Sequence, residues 1–481
     1  MKRLLLFVHR WLGILLCVLV CAWTLSGFVM MYVPYPAVGE AQRLDAQRPL
    51  SFARCCDLAT ARETAGDFAI AGFDVEMLAD DPVLRLETAT GSALTLDLRS
   101  GAVIDSITAD RAGQVAAQFG RAQPVVARPR LLGIIDRDQW TVSRLADDRP
   151  LYKFALDDAA GTQFYVSGSS GRVVQRTTAA QRDWNYVGAV THWIYPTLLR
   201  ERVRTWSGIV IGSSLSALVL VLAGLYIGWT QWRPRRPHAS PYRGLTLWHH
   251  YAGLAFGLLA LAWIGSGLLS MNPWGLLEPG SSGAERARLA GLQLRSGAAL
   301  DVMQRLVDRA VPGDVRLVRS APFDGSLFLV EYAPLGEARV DAVTLQPAAI
   351  GAAALHAAAA RLAPGTPVRS AELIGAGDDY YYAHHFAPPF PVYRVVLADA
   401  DESRYYVDPR DGSLLRKLDA NGRWWRWLFS APHQWDFAPA LRRRPVWDVV
   451  VIALLSGLSL LALSGVWLGI RHLRRVAIIR R

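Results

Sequence analysis

Four stretches of this chain contain no Asp, Glu, Lys or Arg: residues 11–35, 205–232, 244–277 and 449–470. Each is longer than the ~20 residues that carry an α-helix across a bilayer. Buried helices of soluble proteins are shorter and keep a polar face. Backbone in hydrocarbon must satisfy its own hydrogen bonds, so each stretch is expected to be a transmembrane helix. The sequence therefore describes a multi-pass α-helical membrane protein. Its transmembrane helices are expected at 11–34, 205–232, 245–272 and 448–470. A cleaved signal peptide is the other reading of the first. Its uncharged core is longer than the usual h-region, and no small-x-small site follows it cleanly.

Short flanking segments orient the helices. Lys2, Arg3 and Arg10 precede the first helix. Arg233, Arg235, Arg236 and Arg243 fill the loop 233–244. Arg471, Arg474, Arg475, Arg480 and Arg481 follow the fourth helix. The ends, 1–10 and 471–481, and the middle loop are thus expected on the cytoplasmic side. The long segments 35–204 and 273–447 are expected on the other. The chain has 52 Lys+Arg against 41 Asp+Glu, a net +11. That excess first suggests nucleic acid or an acidic membrane surface. The basic residues are scattered over membrane flanks, which excludes nucleic acid and leaves the lipid bilayer as the partner.

Cys17 and Cys21 lie one turn apart in the first helix and read as small apolar residues. Cys55 and Cys56 are adjacent in an exported segment, where a vicinal disulfide can form. There is no C-x-x-C-H, so covalent c-type haem is excluded. There is also no G-x-G-x-x-G and no P-loop.

The chain is one unit written twice. A shift of 240 residues lays His9 on His249, Gly13 on Gly253, Trp23 on Trp263, Ser26 on Ser266 and Gly27 on Gly267. A shift of 241 matches Lys153 with Arg394, Tyr165 with Tyr406, Gly171 with Gly412 and Trp184 with Trp425. It also matches His192 with His433, Trp206 with Trp447, Gly224 with Gly465 and Gly228 with Gly469. Both units start on the same side, so the repeats are parallel, related by an axis along the membrane normal. Each exported segment ends in a hairpin, at 164–174 and 404–415. Residues 93–98 and 326–332 read as further strands, and 352–362 as a helix. An α+β domain with a small antiparallel sheet is expected in each half. The aromatic-rich segments 184–199 and 424–441 are expected on the outer membrane interface.

Four of the ten histidines form repeat-related pairs. His9 and His249 fall at the cytoplasmic ends of the first and third helices. His192 and His433 fall on the interfacial segments. Parallel repeats put the members of each pair at one depth, across the axis from each other. That arrangement suits two bis-histidine b-type haems. At about 100° per residue, His9, Gly13, Trp23 and Gly27 share one helix face, as do His249, Gly253, Trp263 and Gly267. Glycine gives a flat macrocycle access to a backbone. Helix-packing glycines and interfacial histidines are the plainer reading. His250 adjoins His249 and competes with it as ligand, but His249 keeps the H-x-x-x-G spacing and is the one expected.

Only the second half carries Tyr381, Tyr382, His384 and His385. They are candidates for contact with a ferric substrate or the outer haem edge, or for a loop packed on the membrane segment. The arginines at 200–204 and 442–444 sit where haem propionates or lipid headgroups would lie.

These residues resemble a known family. The H-R-W-L-G start at 9–13, the second H-x-x-x-G at 249–253, the Tyr-Tyr-x-His-His stretch and the Tyr-Val-Asp-Pro-x-x-Gly hairpin carry the resemblance, with the late Trp/His segments. They resemble the PepSY-associated transmembrane helix proteins, which include bacterial inner-membrane ferrisiderophore reductases. The resemblance implies two periplasmic PepSY-like domains, a four-helix membrane part and bis-histidine haems. It also implies electron transfer to a ferric siderophore in the periplasm. The first hairpin departs from the pattern, with Ser167-Gly-Ser-Ser-Gly171 in place of Asp-Pro-x-x-Gly. The chain ends eleven residues after the fourth helix, so no flavin or nicotinamide domain of its own is expected.

The expected path takes an electron from a cytoplasmic partner or quinol to the inner haem, then to the outer haem, then to the chelate. Reduction releases iron because siderophore oxygens prefer the harder Fe(III). One alternative is a haem protein serving another acceptor. The other is a non-enzymatic PepSY-type regulator or binding protein, which predicts no haem.

Overall fold

The computed structural model describes residues 2–53, 55–88, 91–123, 128–235, 239–309, 311–384 and 387–479. All four uncharged stretches are helical: α1 (Lys2–Met30), α2 (Val203–Gln231), α3 (Leu245–Ser270) and α4 (Val446–Ile479). Each is long and apolar enough to cross a membrane, which makes this a membrane protein. α1 starts before residue 11 and α4 continues past residue 470. Residues 2–10 and 471–479 contain no Gly or Pro, so charge marks where these helices leave an apolar stretch, not where they end. α1 stops four residues before Pro34.

The helices form a ring. α1 packs against α2 and α4, and α3 packs against the same two. The repeat-related α1 and α3 are therefore diagonal. Glycine lets the neighbours approach: a Cβ on Gly257 would lie 2.6 Å from Leu225, and one on Gly457 2.2 Å from Phe256.

Outside the bundle, the first half forms β1 (Gly72–Leu78), β2 (Asp81–Glu87), β3 (Ala93–Asp97), β4 (Pro129–Ile135), β5 (Leu151–Leu156), β6 (Gln163–Ser167) and β7 (Val173–Thr177). The second half repeats the set as β8 (Leu317–Phe323), β9 (Ser326–Ala333), β10 (Gly336–Asp341), β11 (Val368–Ile374), β12 (Val392–Leu397), β13 (Arg404–Val407) and β14 (Leu414–Leu418). The expected strands and the helix Ala352–Leu362 are all present. The expectation of one small sheet per half needs revision. Each half closes its own four-stranded antiparallel sheet, β4–β7 and β11–β14. Its other three strands join those of the second half in a single six-stranded sheet, ordered β10-β9-β8-β1-β2-β3. The join is antiparallel, with Val75 opposite Val318. One core beneath it takes Phe73, Val75 and Leu84 from one half and Leu300, Met303 and Val318 from the other. The halves therefore cannot separate without exposing that core.

Charge ties the sheets together. Glu76 on β1 is fully buried and bonded to Arg43, Arg85 and Arg172. Burial alone would raise its pKa, but Arg172, Arg85 and Arg43 hold the carboxyl well below the usual range. Arg172 comes from the β6–β7 turn. That turn keeps the geometry of its counterpart despite the different sequence. Gly171 N–H donates to Ser167 O and Gly412 N–H to Asp408 O, both at 2.9 Å. Both glycines have positive φ, and a Cβ would strike Leu78 or Phe323 at 2.4 or 2.3 Å.

A helical segment leads from each four-stranded sheet to the membrane helices. The first begins at Ala179, under a Thr178–Gln181 capping box, and widens into a π-turn at Tyr186–Val190. The second begins at Ala420, capped by Asp419, with its π-turn at Arg426–Ser430. His192 and His433 follow these π-turns.

Candidate functional site

The structure brings both histidine pairs together. His9 on α1 and His249 on α3 face each other across the ring, with ring centres 6.4 Å apart and planes 49° apart. At the other end His192 faces His433, at 6.1 Å and 72°. An imidazole–metal bond of about 2 Å, with the ring centre about 1 Å further, spaces two axial imidazoles by about 6 Å. Both pairs have the spacing of a bis-imidazole centre.

The hydrogen bonds fix which nitrogen is free. His9 Nδ1 donates to Leu220 O at 3.0 Å. His249 Nδ1 meets Ser464 Oγ at 2.8 Å, and Ser464 donates its hydroxyl to Leu461 O. Leu220 and Leu461 are repeat-related, so the same carbonyl is reached directly in one half and through a hydroxyl in the other. His192 Nδ1 meets Ser26 Oγ at 3.0 Å, and His433 Nδ1 meets Ser266 Oγ at 3.1 Å. Both serines donate back to the carbonyls of Trp23 and Trp263. A serine whose hydrogen is used that way accepts from Nδ1–H. All four imidazoles therefore carry the proton on Nδ1 and leave an Nε2 lone pair. A metal-binding imidazole held by a second shell has this form. Among the described residues no group of three or more His, Cys, Asp or Glu could hold a metal ion.

His250 is not equivalent. Its Nδ1 bonds Ser240 Oγ at 2.8 Å and its Nε2 bonds Gly228 O at 2.9 Å. Both nitrogens are committed, and the residue pins the 232–244 loop to α2 and α3.

The glycines divide. A Cβ on Gly267 would sit 3.6 Å from His433 Cε1. Gly13 and Gly253 face Leu220 and Leu461 instead, where a Cβ would make ordinary contact at 3.7 and 3.9 Å, and Gly27 faces Leu455. The glycines nearest the inner histidines are Gly224 and Gly465, which face His9 and His249 at 2.6 and 3.5 Å. Their repeat match was visible in the sequence, but their facing was not. Gly224→Ala is expected to displace His9 and, on the haem reading proposed below, to cut haem content by about half, whereas Gly465→Ala leaves it near normal. Haem-to-protein ratios of the two purified variants check this; equal behaviour would show that helix packing alone placed the glycines.

The Tyr/His stretch is mostly committed to packing. Tyr381 is buried, stacks on Tyr406 at 4.8 Å and donates to Pro389 O. Tyr382 donates to Asp436 Oδ2 at 2.5 Å, and the guanidinium groups of Arg426 and Arg442 lie over its ring at 5.1 and 4.2 Å. Burial and the neighbouring Asp436 push its phenol above the usual range. Neither hydroxyl is available to a substrate. His384 packs edge-on against Trp447 at 4.9 Å. His385 lies outside the described residues. Asp378 anchors the stretch, accepting from Arg394 and Tyr406, as Asp138 accepts from Lys153 and Tyr165 in the first half.

The arginine groups are also largely engaged. Arg442 bonds Asp379, Asp378 O and Asp436 O. Arg200 stacks on Trp206 at 4.4 Å. Arg444 donates to Met31 O. The Arg426–Asp436 ion pair, fully buried beside His433, had no warning in composition or spacing. The chain matches no protein-family model, and no curated protein matches it.

Proposed function

We propose that this protein is a di-haem b electron carrier that reduces a ferric chelate of the siderophore class. The observation that carries the reading is the pairing: four imidazoles in two facing pairs, each with its Nδ1 engaged by a carbonyl or a serine hydroxyl. His9 and His249 would hold one haem, His192 and His433 the other. Bound there, haem supplies one-electron chemistry at two depths of the membrane. Leu220, Ser464, Ser26 and Ser266 orient the imidazoles. The sequence resemblance to PepSY-associated transmembrane proteins supports an inner-membrane location. On that reading both termini are cytoplasmic, the sheets are periplasmic, and the donor is quinol or a cytoplasmic protein. Iron leaves after reduction because hard oxygen ligands bind Fe(II) more weakly.

The test is a reduced-minus-oxidised spectrum of the purified protein, followed by reoxidation with ferric chelates. Two b-type haems per chain and rapid reoxidation by a ferric siderophore are expected. Haem reoxidised only by other acceptors points to a different carrier. Absence of haem leaves the PepSY-type binding protein.

A further inference from the structure

We propose that the outer edge of β4 binds the same edge of a second copy of this chain, forming a dimer in the plane of the membrane. β4 ends its sheet, in the order β4-β5-β6-β7. Among the described residues no backbone group outside that sheet bonds it. From Leu131 to Ile135 it carries no charge, and Leu131, Leu132 and Ile134 are 43%, 41% and 56% exposed. A bare apolar edge is a template for another strand, and folded chains blunt such edges with charge. The second half does so. β11 is the matching edge, and there Arg369 pairs with Glu402 and Glu372 with Arg394. Leu131 stands at the place of Glu372, and the β4 ladder is interrupted by a bulge at Leu132.

Lipid does not cover these side chains. Leu131 lies opposite Phe154 and Ile134 opposite Tyr152. Both rings belong to the core under helix Ala109–Arg121, on one face of the sheet. The other face, through Leu151 and Tyr165, packs on Val190, Tyr195 and Trp206, where the chain enters the bilayer. The sheet is thus a layer lying over the membrane surface, with Leu131 and Ile134 on the side turned away. Two antiparallel edges are related by a dyad perpendicular to their sheet, which here runs along the membrane normal. That direction leaves both copies inserted the same way up and makes the contact isologous. The dyad also turns Arg130, at the start of β4, towards Asp136 of the second copy, just past the end of its strand. Both are exposed and have local partners, Asp157 and Arg137, so this attraction gives direction more than strength. A seven-residue edge buries less than the ~1,200 Å² of a standard interface. Copies that share one bilayer are already aligned, which lowers the cost of association.

Light scattering of the full-length protein in detergent should give the protein mass of a dimer. Ile134→Lys puts a charge on the edge and should halve that mass. Ile134→Cys, in native membranes, should be trapped as a dimer by a short bifunctional thiol reagent. Leu373→Cys, exposed on β11, should not. Wild type should not either, since Cys55 and Cys56 are joined and Cys17 and Cys21 are buried. The wild-type mass and the milder cysteine variant decide the matter if Ile134→Lys does not fold. A monomeric wild type, a dimer whose mass Ile134→Lys leaves unchanged, or no trapping through Ile134→Cys would overturn the contact.

Discussion

Replacing His192 by alanine is expected to halve the haem content, from two per chain to one. The same loss is expected for His9→Ala, His249→Ala and His433→Ala, because on the proposed reading each pair would share one iron and one axial ligand would not hold it. Combining His9→Ala with His249→Ala should cost no more than either alone. Combining His9→Ala with His192→Ala should remove both haems. This non-additive pattern separates ligands from residues that merely support the fold. His250→Ala should keep both haems, since His250 bonds Ser240 and Gly228 O and has no free nitrogen. Ser26→Ala removes the acceptor for His192 Nδ1 and should weaken outer haem retention by about tenfold, the range of a lost second-shell bond. Haemochrome assays on purified variants read all of these. Equal loss at His384 would show that the pairing is wrong.

The four helices and two histidine pairs were legible because both are written in patterns that survive without coordinates. Missing charge marks the first, and the duplication marks the second. The repeat aligned Ser26 with Ser266, but it did not show that their hydroxyls face His192 and His433. That depends on helix rotation, which an alignment of like with like leaves undetermined. The choice between His249 and His250 had the same origin. Adjacent residues differ by about 100° in azimuth, and only packing says which points inward. The six-stranded sheet was hidden for another reason. Strands β1 and β8 show ordinary alternation, and nothing local names the edge each will meet. Tyr381 and Tyr382 stood out as ligand-contact candidates because the Tyr/His stretch has no counterpart in the first half. Asp436 and Pro389, distant in sequence from one or near it by a turn, take both hydroxyls.

Asp436→Asn is expected to be among the most damaging single substitutions in the outer half of the molecule. Asp436 and Arg426 are both buried, with side-chain exposures of 0% and 2%. Arg426 opens the π-turn before His433, and Asp436 follows it by three residues. Their bond, with Arg426 Nη2 on Asp436 O, closes the loop that carries the ligand. Asparagine keeps the shape but strands a buried guanidinium, at a cost of about 3–5 kcal/mol. It also weakens the acceptor for Tyr382, which ties β11–β14 to the segment. Loss of the His433 haem with retention of the His9–His249 haem is expected, along with a lower unfolding temperature. Replacing both partners, Arg426→Met with Asp436→Leu, should recover most of the stability, since no charge is then stranded. The first half provides the control. At the matching places it has Asn185 and Tyr195, and Asn185 donates to Pro34 O and Gln181 O without any charge. Asn185→Ala should cost about 1 kcal/mol and leave the His192 side intact. If Asp436→Asn melts with wild type and keeps two haems, the ion pair does not hold His433, and Ser266 with Trp263 must suffice.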